Sequence, residues 1–302
     1  MDEFALGVLT NIGLFSFLAL SAYLLLIAGE MSFGQQAFFG VGAYAAGIGT
    51  AMWGWPLPLA IAFAMALGAG AAWLVGLPTL RLRGLYFAMA TLAAAEMFRI
   101  LFELLHFQRT IDGELVGPDG TQGFRGIRWV LERGFEQHEY LALVWGLLAL
   151  VLAGFAVVER SRLGATLRMV GEDPELAAVL GVDVPRLKLG VAAAAGALAA
   201  LGGALYAHHN TYVEPRNFDI MLGVHSLAYA LIGGLGTAFG PLLGVLIDIG
   251  LLESLRVFAG WRMIVFGGLV AVLLIARPRG LLDEATLNRI RLALACRRPA
   301  VP

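Results

Sequence analysis

Long apolar runs separated by short polar stretches set the pattern of this chain. Nine such runs stand out, at about 4–28, 32–52, 55–76, 84–105, 139–159, 189–207, 224–236, 238–256 and 260–276. Most are close to the ~20 residues that a helix needs to cross a ~30 Å hydrocarbon layer. The pattern predicts an all-α polytopic membrane protein of about eight to ten transmembrane or partly crossing helices. The run 224–236 is short and ends in Gly233-Gly234-Leu235-Gly236, with Pro241 just beyond. It reads as a broken or partly crossing helix, tolerated where protein or a cavity shelters the freed backbone groups.

Composition agrees with this layout. The 302 residues are 59% hydrophobic and only 14% charged, with a mean hydropathy of +0.80. A soluble domain has about 45–50% apolar and about 25% charged residues. The formal net charge of −1 gives no global field to attract nucleic acid. The start, MDEFALG, has no basic region of the secretory type, so the first apolar run is expected to be retained. The single cysteine, Cys296, excludes an intramolecular disulfide and a cysteine metal cluster. One lysine, Lys188, stands against twenty arginines.

Basic residues orient the spans. The loop 160–188 holds Arg160, Arg162, Arg168, Arg186 and Lys188. The tail 277–302 holds six arginines, and Arg81 and Arg83 precede the fourth span. Alternating spans put these thirteen residues on one side and seven on the other, with Arg99 inside a span. The richer side is expected to be cytoplasmic, with the N-terminus outside and the C-terminus inside. The chain is then one transmembrane domain, 1–302, with a cytoplasmic loop 160–188, an outer loop 107–138 and a cytoplasmic tail 277–302. The outer loop carries the turn signal GPDG and a candidate short helix near 128–137. It is longer than connectors usually are, which suggests docking.

No motif for catalysis is visible, so no enzyme activity and no cofactor are expected. A phosphate-binding loop needs Gly-Lys-Ser/Thr, and the one lysine follows Leu187. His208 and His209 are adjacent and cannot share a helix face as i, i+4 metal ligands do, so no metal site is expected. Small residues recur at close-packing spacing: Gly236, Gly240 and Gly244, then Gly190, Gly196, Gly202 and Gly203, then Gly68, Gly70 and Gly76. They allow helix backbones to approach in lipid.

Charges inside spans are expensive and point to function by default. Glu96, Arg99 and Glu103 fall at i, i+3 and i+7 on one helix face. They form either a polar face toward a translocation route or a structural ion pair between helices. Asp248, between Ile247 and Ile249, is either a route or interface residue or a hydrogen-bonded structural acid. His225 is read as a satisfied core histidine, with a route role as the alternative.

The loop 160–188 contains a stretch of another kind, GEDPELAAVLGV at 171–182. Asp173 is an N-cap residue, Pro174 suits the first helical position, and Glu175 faces the positive end of the helix dipole. Gly181 suits a left-handed C-terminal position. The helix predicted over 174–180 is only about 10 Å long and cannot cross a bilayer. So short a helix needs something to pack against. Leu176, Val179 and Leu180 form its apolar face, with Ala177 and Ala178 allowing a close approach. The partner is either the membrane surface or a cytoplasmic protein.

From 171 the sequence continues as GEDPELAAVLGVDVPRLKLGVAAAAGALAALGGALYAH. It resembles the cytoplasmic loop and following helix of permease subunits of bacterial ABC importers. More narrowly, the chain resembles the LivM-type permeases of branched-chain amino acid importers. GEMSFGQQAFFGVGAYAAG (29–47), LRLRGLYFAMATLAAAEMFRIL (80–101), LAYALIGGLGTAFGPLLGV (227–245) and RPRGLL (277–282) carry the same resemblance. The outer loop and the tail after 284 match no motif.

The resemblance implies a membrane core made with a second, related permease subunit, a heterodimer in the bacterial inner membrane. It also implies two cytoplasmic ABC ATPase subunits and an extracytoplasmic substrate-binding protein. Glu172, Asp173, Pro174, Glu175, Leu176, Ala177, Ala178, Val179, Leu180 and Gly181 would be the coupling helix that docks on an ATPase. Gly40, Gly42 and Tyr44 would sit in close helix contacts along the route, and a broken helix there would aim backbone dipoles at a zwitterion. Urea or short-amide importers and sugar importers are neighbouring alternatives. A self-sufficient secondary transporter or a membrane scaffold are alternatives of another class.

Overall fold

The computed structural model describes residues 3–111, 114–253, 262–277 and 280–282. Each of the nine apolar runs contains a helix in its described part. Helix α1 (Glu3–Ile27) ends at Ala28-Gly29, where Gly29 adopts φ +80°. An extended stretch leads into α2 (Gln35–Gly47), which passes directly into a π-helical turn, Ile48–Met52. Pro56 opens α3 (Leu57–Thr79), and α4 follows over Leu85–Leu104. After a small non-helical region come α5 (Trp129–Glu132) and α6 (Gln137–Arg160), the latter closed at its start by a reciprocal Glu136/Glu139 capping box. Helices α7 (Arg162–Glu172), α8 (Pro174–Val179) and α9 (Val184–Asn210) follow in quick succession. Asp219 caps α10 (Ile220–Gly233). A tight hairpin leads to α11 (Phe239–Val245) and its π-helical continuation, Leu246–Glu253. The last described helix is α12 (Arg262–Ala276).

Five helices, α1, α3, α4, α6 and α9, are long and apolar enough to cross a membrane by length and composition. Three further apolar helices are shorter: Ile220–Gly233, Phe239–Gly250 and Ile264–Leu273. Helix α2 is short because residues 28–34 enter without helical structure. Helix α10 is short because it starts after a 3-10 turn, Pro215–Phe218, that buries Phe218. The run predicted at 224–236 therefore starts earlier and stops at Gly234, which adopts φ +93°.

To the helical layout the structure adds a small antiparallel sheet, in the order β1 (Arg109–Ile111), β2 (Glu114–Pro118), β3 (Phe124–Arg125) and β4 (Tyr212–Val213). Thus the described part of the outer loop expected at 107–138 forms strands and pairs with the stretch that follows α9, through Phe124↔Val213. Its expected short helix is confined to α5. Phe124 of β3, Val213 of β4 and nearby Ile127 are fully buried and join one apolar cluster with Tyr44 and Phe102 of the helices.

Helix α9 occupies the centre, packed by α1, α2 and α3. A side chain at Gly203 would put Cβ 1.8 Å from the Phe39 carbonyl oxygen, and one at Gly42 2.1 Å from that of Ala200. The α2 and α9 backbones are thus in direct contact. Gly68 and Gly196 do the same for α3 and α9. Gly240 and Gly244 meet the backbone of α10 within the α10–α11 hairpin, whereas Gly70 and Gly190 touch nothing. Within the chain, 83% of the apolar window of α1 is buried, against 17% of that of α6. An apolar helix so exposed needs lipid or another subunit around it. The tail beyond 282, with Cys296 and most tail arginines, and the segment 254–261 lie outside the described residues.

Candidate functional site

Helix α8 is capped at both ends by local chemistry and anchored on the chain by Ala177. Asp173 Oδ1 accepts hydrogen bonds from the backbone N–H groups of Glu175 (3.0 Å) and Leu176 (2.9 Å), and Pro174 occupies the first turn. At the other end the N–H of Gly181 reaches the Ala178 carbonyl (3.0 Å) and that of Val182 the Ala177 carbonyl (3.1 Å). With Gly181 at φ +89° this is a Schellman closure. Only Ala177 is buried against the chain. Leu176, Val179 and Leu180 are 52%, 84% and 65% exposed. The short helix therefore holds three apolar side chains away from the body of the protein. Glu172, Asp173, Glu175 and Ala178 are exposed around them.

Behind α8 lies a cavity of about 390 Å³, walled by Glu30, Arg83, Gly171, Pro174 and Lys188 among others. Lys188 Nζ, at the start of α9, donates to Glu30 Oε1 at 2.5 Å, and the two side chains are only 13% and 7% exposed. A second pair at the mouth, Arg83–Glu175 at 3.3 Å, is fully solvent-facing, and surface pairs of that kind contribute little. The turn after α1 presses on the end of α7: a Cβ at Gly171 would stand 2.1 Å from the Ile27 carbonyl oxygen.

Further into the bundle, α2 carries a polar start. Ser21 Oγ donates to the Ala195 carbonyl at 2.8 Å and lies against Gln35 Oε1. Gln36 Oε1 and Tyr44 Oη are buried without a hydrogen-bond partner among the described residues. Gly40 faces Phe102 and Phe218, Gly42 faces Ala200, and the Tyr44 ring stacks on Phe102 at 4.6 Å. Thr50, in the π-helical turn, pairs with His208 Nε2 at 2.9 Å. All three sequence-selected residues of α2 are thus in close helix contact.

The intramembrane charges are partnered. Arg99 binds Glu96 through Nε at 2.8 Å and also pairs with Glu103, all on one face of α4. Asp248 is buried in the π-helical segment and accepts a hydrogen bond from Tyr229 Oη at 2.7 Å. It borders a cavity of about 410 Å³ that also takes in Asn11, Asn217, His225 and Phe266. His225 stacks on Phe266 at 5.0 Å and bonds the Met221 carbonyl at 2.8 Å, so it is satisfied yet faces this cavity.

The family model described as "Branched-chain amino acid transport system / permease component" matches residues 4–277. The chain belongs to this permease family. The LivM permease of the Escherichia coli high-affinity branched-chain amino acid transport system is 29% identical over 280 residues, 85% of this chain and 64% of LivM. The chain therefore spans less than two thirds of the length of that relative. LivH of E. coli, a permease of the same system, is 26% identical over 153 residues, 49% of each chain. A nucleoside ABC transporter permease, NupC of Lactococcus lactis, is 36% identical over 121 residues, 38% of this chain and 36% of NupC. No solved structure matches. Family membership and apolar helices together make this a multi-pass membrane protein.

The sequence-selected residues fall into separate places. Residues 172–181 form one exposed knob, the α2 residues lie in the core, the Glu96 group is on α4 and Asp248 is in the π-helical continuation of α11. Three polar positions escaped the reading from sequence. Glu30 is paired with a residue 158 positions away. Gln36 is buried. Glu159 Oε1 accepts from Tyr23 Oη at 2.8 Å and from the Ala238 N–H at 2.7 Å, tying α6 to α1 and to the α10–α11 hairpin. The one available signal was Glu30, Ser32, Gln35 and Gln36 crowded into an otherwise apolar run.

Proposed function

We propose that this chain is a single-domain permease subunit, 1–302, of an ABC importer. It moves branched-chain or similar small amino acids across the bacterial inner membrane. The observation that carries the reading is α8. A capped helix presents three exposed apolar side chains at one end of a membrane bundle of the permease family, and the sequence has no phosphate-binding loop of its own. Residues 172–181 dock on one of two cytoplasmic ATPase subunits, which do the hydrolysis; the chain itself is not catalytic. A related permease is the second half of the core, a reading supported by the likeness to both LivM and LivH. An extracytoplasmic binding protein delivers substrate to the sheet end, around 107–138. Arginine placement puts the α8 end in the cytoplasm with the C-terminus, and the N-terminus outside. The start of α2, with Gly40, Gly42 and Tyr44 above it, shapes the route, and Asp248 borders its outer cavity.

Nucleoside import is the second reading, favoured by the NupC likeness, but that likeness covers 38% of this chain against 85% for LivM. The test is reconstitution in proteoliposomes with a partner permease, both ATPases and the binding protein. ATP-dependent uptake of radiolabelled leucine, competed by isoleucine and valine, is expected. Uptake without ATPases, or of uridine in preference to leucine, overturns the reading.

A further inference from the structure

We infer that Glu30 and Lys188 are positioning residues for coupled transport: their buried ion pair makes the α8 loop, the α1–α2 turn and the start of α9 move as one body. The inference rests on the proposed importer function and adds residues which that reading does not name.

Three observations converge. First, the pair links the α1–α2 turn to the start of α9 at the edge of the cavity, at the opposite end of α9 from its contacts near Gly203. Glu30 stands in the turn that leads into α2, and Lys188 in the first turns of α9, with 2.5 Å between Oε1 and Nζ. Second, the same turn is locked to the α8 loop by backbone contact. A Cβ at Gly29 would lie 2.9 Å from the Gly171 carbonyl oxygen, and one at Gly171 2.1 Å from that of Ile27. Gly171 is two residues from Asp173, the cap of α8. Third, both elements held by the pair lead directly to the core. Residues 31–34 run from Glu30 to Gln35 and Gln36, and α9 touches α2 backbone to backbone at Gly42 and Gly203.

Stability does not require an ion pair at this position. Two charges lose their hydration on burial, and well-packed apolar side chains of similar volume commonly do as well or better. An ion pair does supply directionality. Once buried, neither charge can slide away from the other without standing unpaired. A push on α8 passes through Gly171 to the turn, and the pair carries it to α9 rather than letting the cavity behind α8 collapse. The space of about 390 Å³ there is what an unlinked α8 would close.

The test uses the reconstituted importer with four permease variants: Glu30→Gln, Lys188→Met, the swap Glu30→Lys/Lys188→Glu, and the apolar double Glu30→Met/Lys188→Met. The reading is leucine taken up per ATP hydrolysed, beside ATPase co-purification and thermal unfolding. Each single variant is expected to lower uptake per ATP by about 10-fold, within the range of ordinary coupling energies, with the ATPases still bound. The swap is expected to restore most of the ratio. The apolar double is expected to stay folded and uncoupled. Should the single variants not fold, the double alone decides: folded and uncoupled supports the relay, while folded with the wild-type ratio overturns it. Single variants with the wild-type ratio also overturn it. A wild type that transports nothing removes the importer reading and the relay together, whereas a coupled wild type with coupled variants removes the relay alone.

Discussion

Replacing Leu176 and Leu180 by aspartate tests the α8 knob most directly. Full burial of a leucine side chain stabilises by about 1.5–3 kcal/mol. These two are 52% and 65% exposed, so more than half of that burial is still to be gained on docking. Together they offer about 3 kcal/mol, or about 100-fold in Kd. Each aspartate adds the cost of taking a carboxylate out of water, so the expected loss of ATPase affinity exceeds 100-fold. The fold is expected to survive. Neither side chain is in the core, and exposed substitutions usually change stability by less than about 0.5 kcal/mol. The assay is titration of labelled ATPase onto detergent-solubilised permease, with thermal unfolding recorded in parallel. Asp173→Ala supplies a graded control. It removes two hydrogen bonds to backbone N–H groups and costs the helix about 1 kcal/mol. Binding is expected to weaken about 5-fold through a less ordered knob. Unchanged affinity in the double aspartate variant refutes docking through this face and returns α8 to a membrane-surface helix.

Other expectations follow from other parts of the molecule. Gly203→Ala places a methyl group 1.8 Å from the Phe39 carbonyl oxygen, so α2 and α9 must separate; a lower unfolding temperature in detergent is expected, and an unchanged one refutes the direct contact. Arg99→Met leaves the partly exposed Glu96 and Glu103 without their cation and is expected to destabilise by about 1–3 kcal/mol, while Glu96→Gln/Arg99→Met/Glu103→Gln regains most of it in the same unfolding assay. Tyr229→Phe removes a donor from buried Asp248 and is expected to cost about 1–3 kcal/mol. Arg125→Glu with Arg128→Glu, at the sheet end, is expected to weaken binding-protein affinity in a salt-dependent way; an unchanged affinity by titration refutes docking there.

Helices were legible because their signal is local. Twenty apolar residues announce a span wherever the rest of the chain lies, and the caps of α8 are built from residues two to five positions apart. The sheet was not legible: its strands are two to five residues long, and β3 pairs with a strand some ninety residues on. No alternation can show in two residues. The same reasoning separates the charges. Arg99 and its two acids lie one turn apart, so spacing exposed them. Glu30 and Lys188 are 158 residues apart, and the pair exists only once α1, α7 and α9 have come together. Glu96 and Asp248 stood out because charges are rare in spans, yet spacing could not show that Tyr229 would reach Asp248.

The distribution of close contacts bears on how such a bundle can move. In lipid the hydrophobic effect does little to hold helix to helix, so backbone contact and buried polar links do that work. Both concentrate on α9: Gly42 and Gly203 against α2, Gly68 and Gly196 against α3, Lys188 against the α1–α2 turn. Helix α6 is different, its apolar surface turned outward and its ties to the core made at Tyr140, Trp145 and Glu159. The stretches 28–34 and 211–219, neither of them α-helical, and the π-helical turn 48–52 lie at the ends of the central helices, where the regular α-helical hydrogen-bond ladder is already interrupted. Bending there breaks few helical hydrogen bonds, whereas sliding α9 past α2 would force carbonyl oxygens against Cα atoms. On the relay inferred above, a push on α8 would turn the central helices as a unit about these interruptions, and the buried Glu30–Lys188 pair stands where that unit meets the α8 loop.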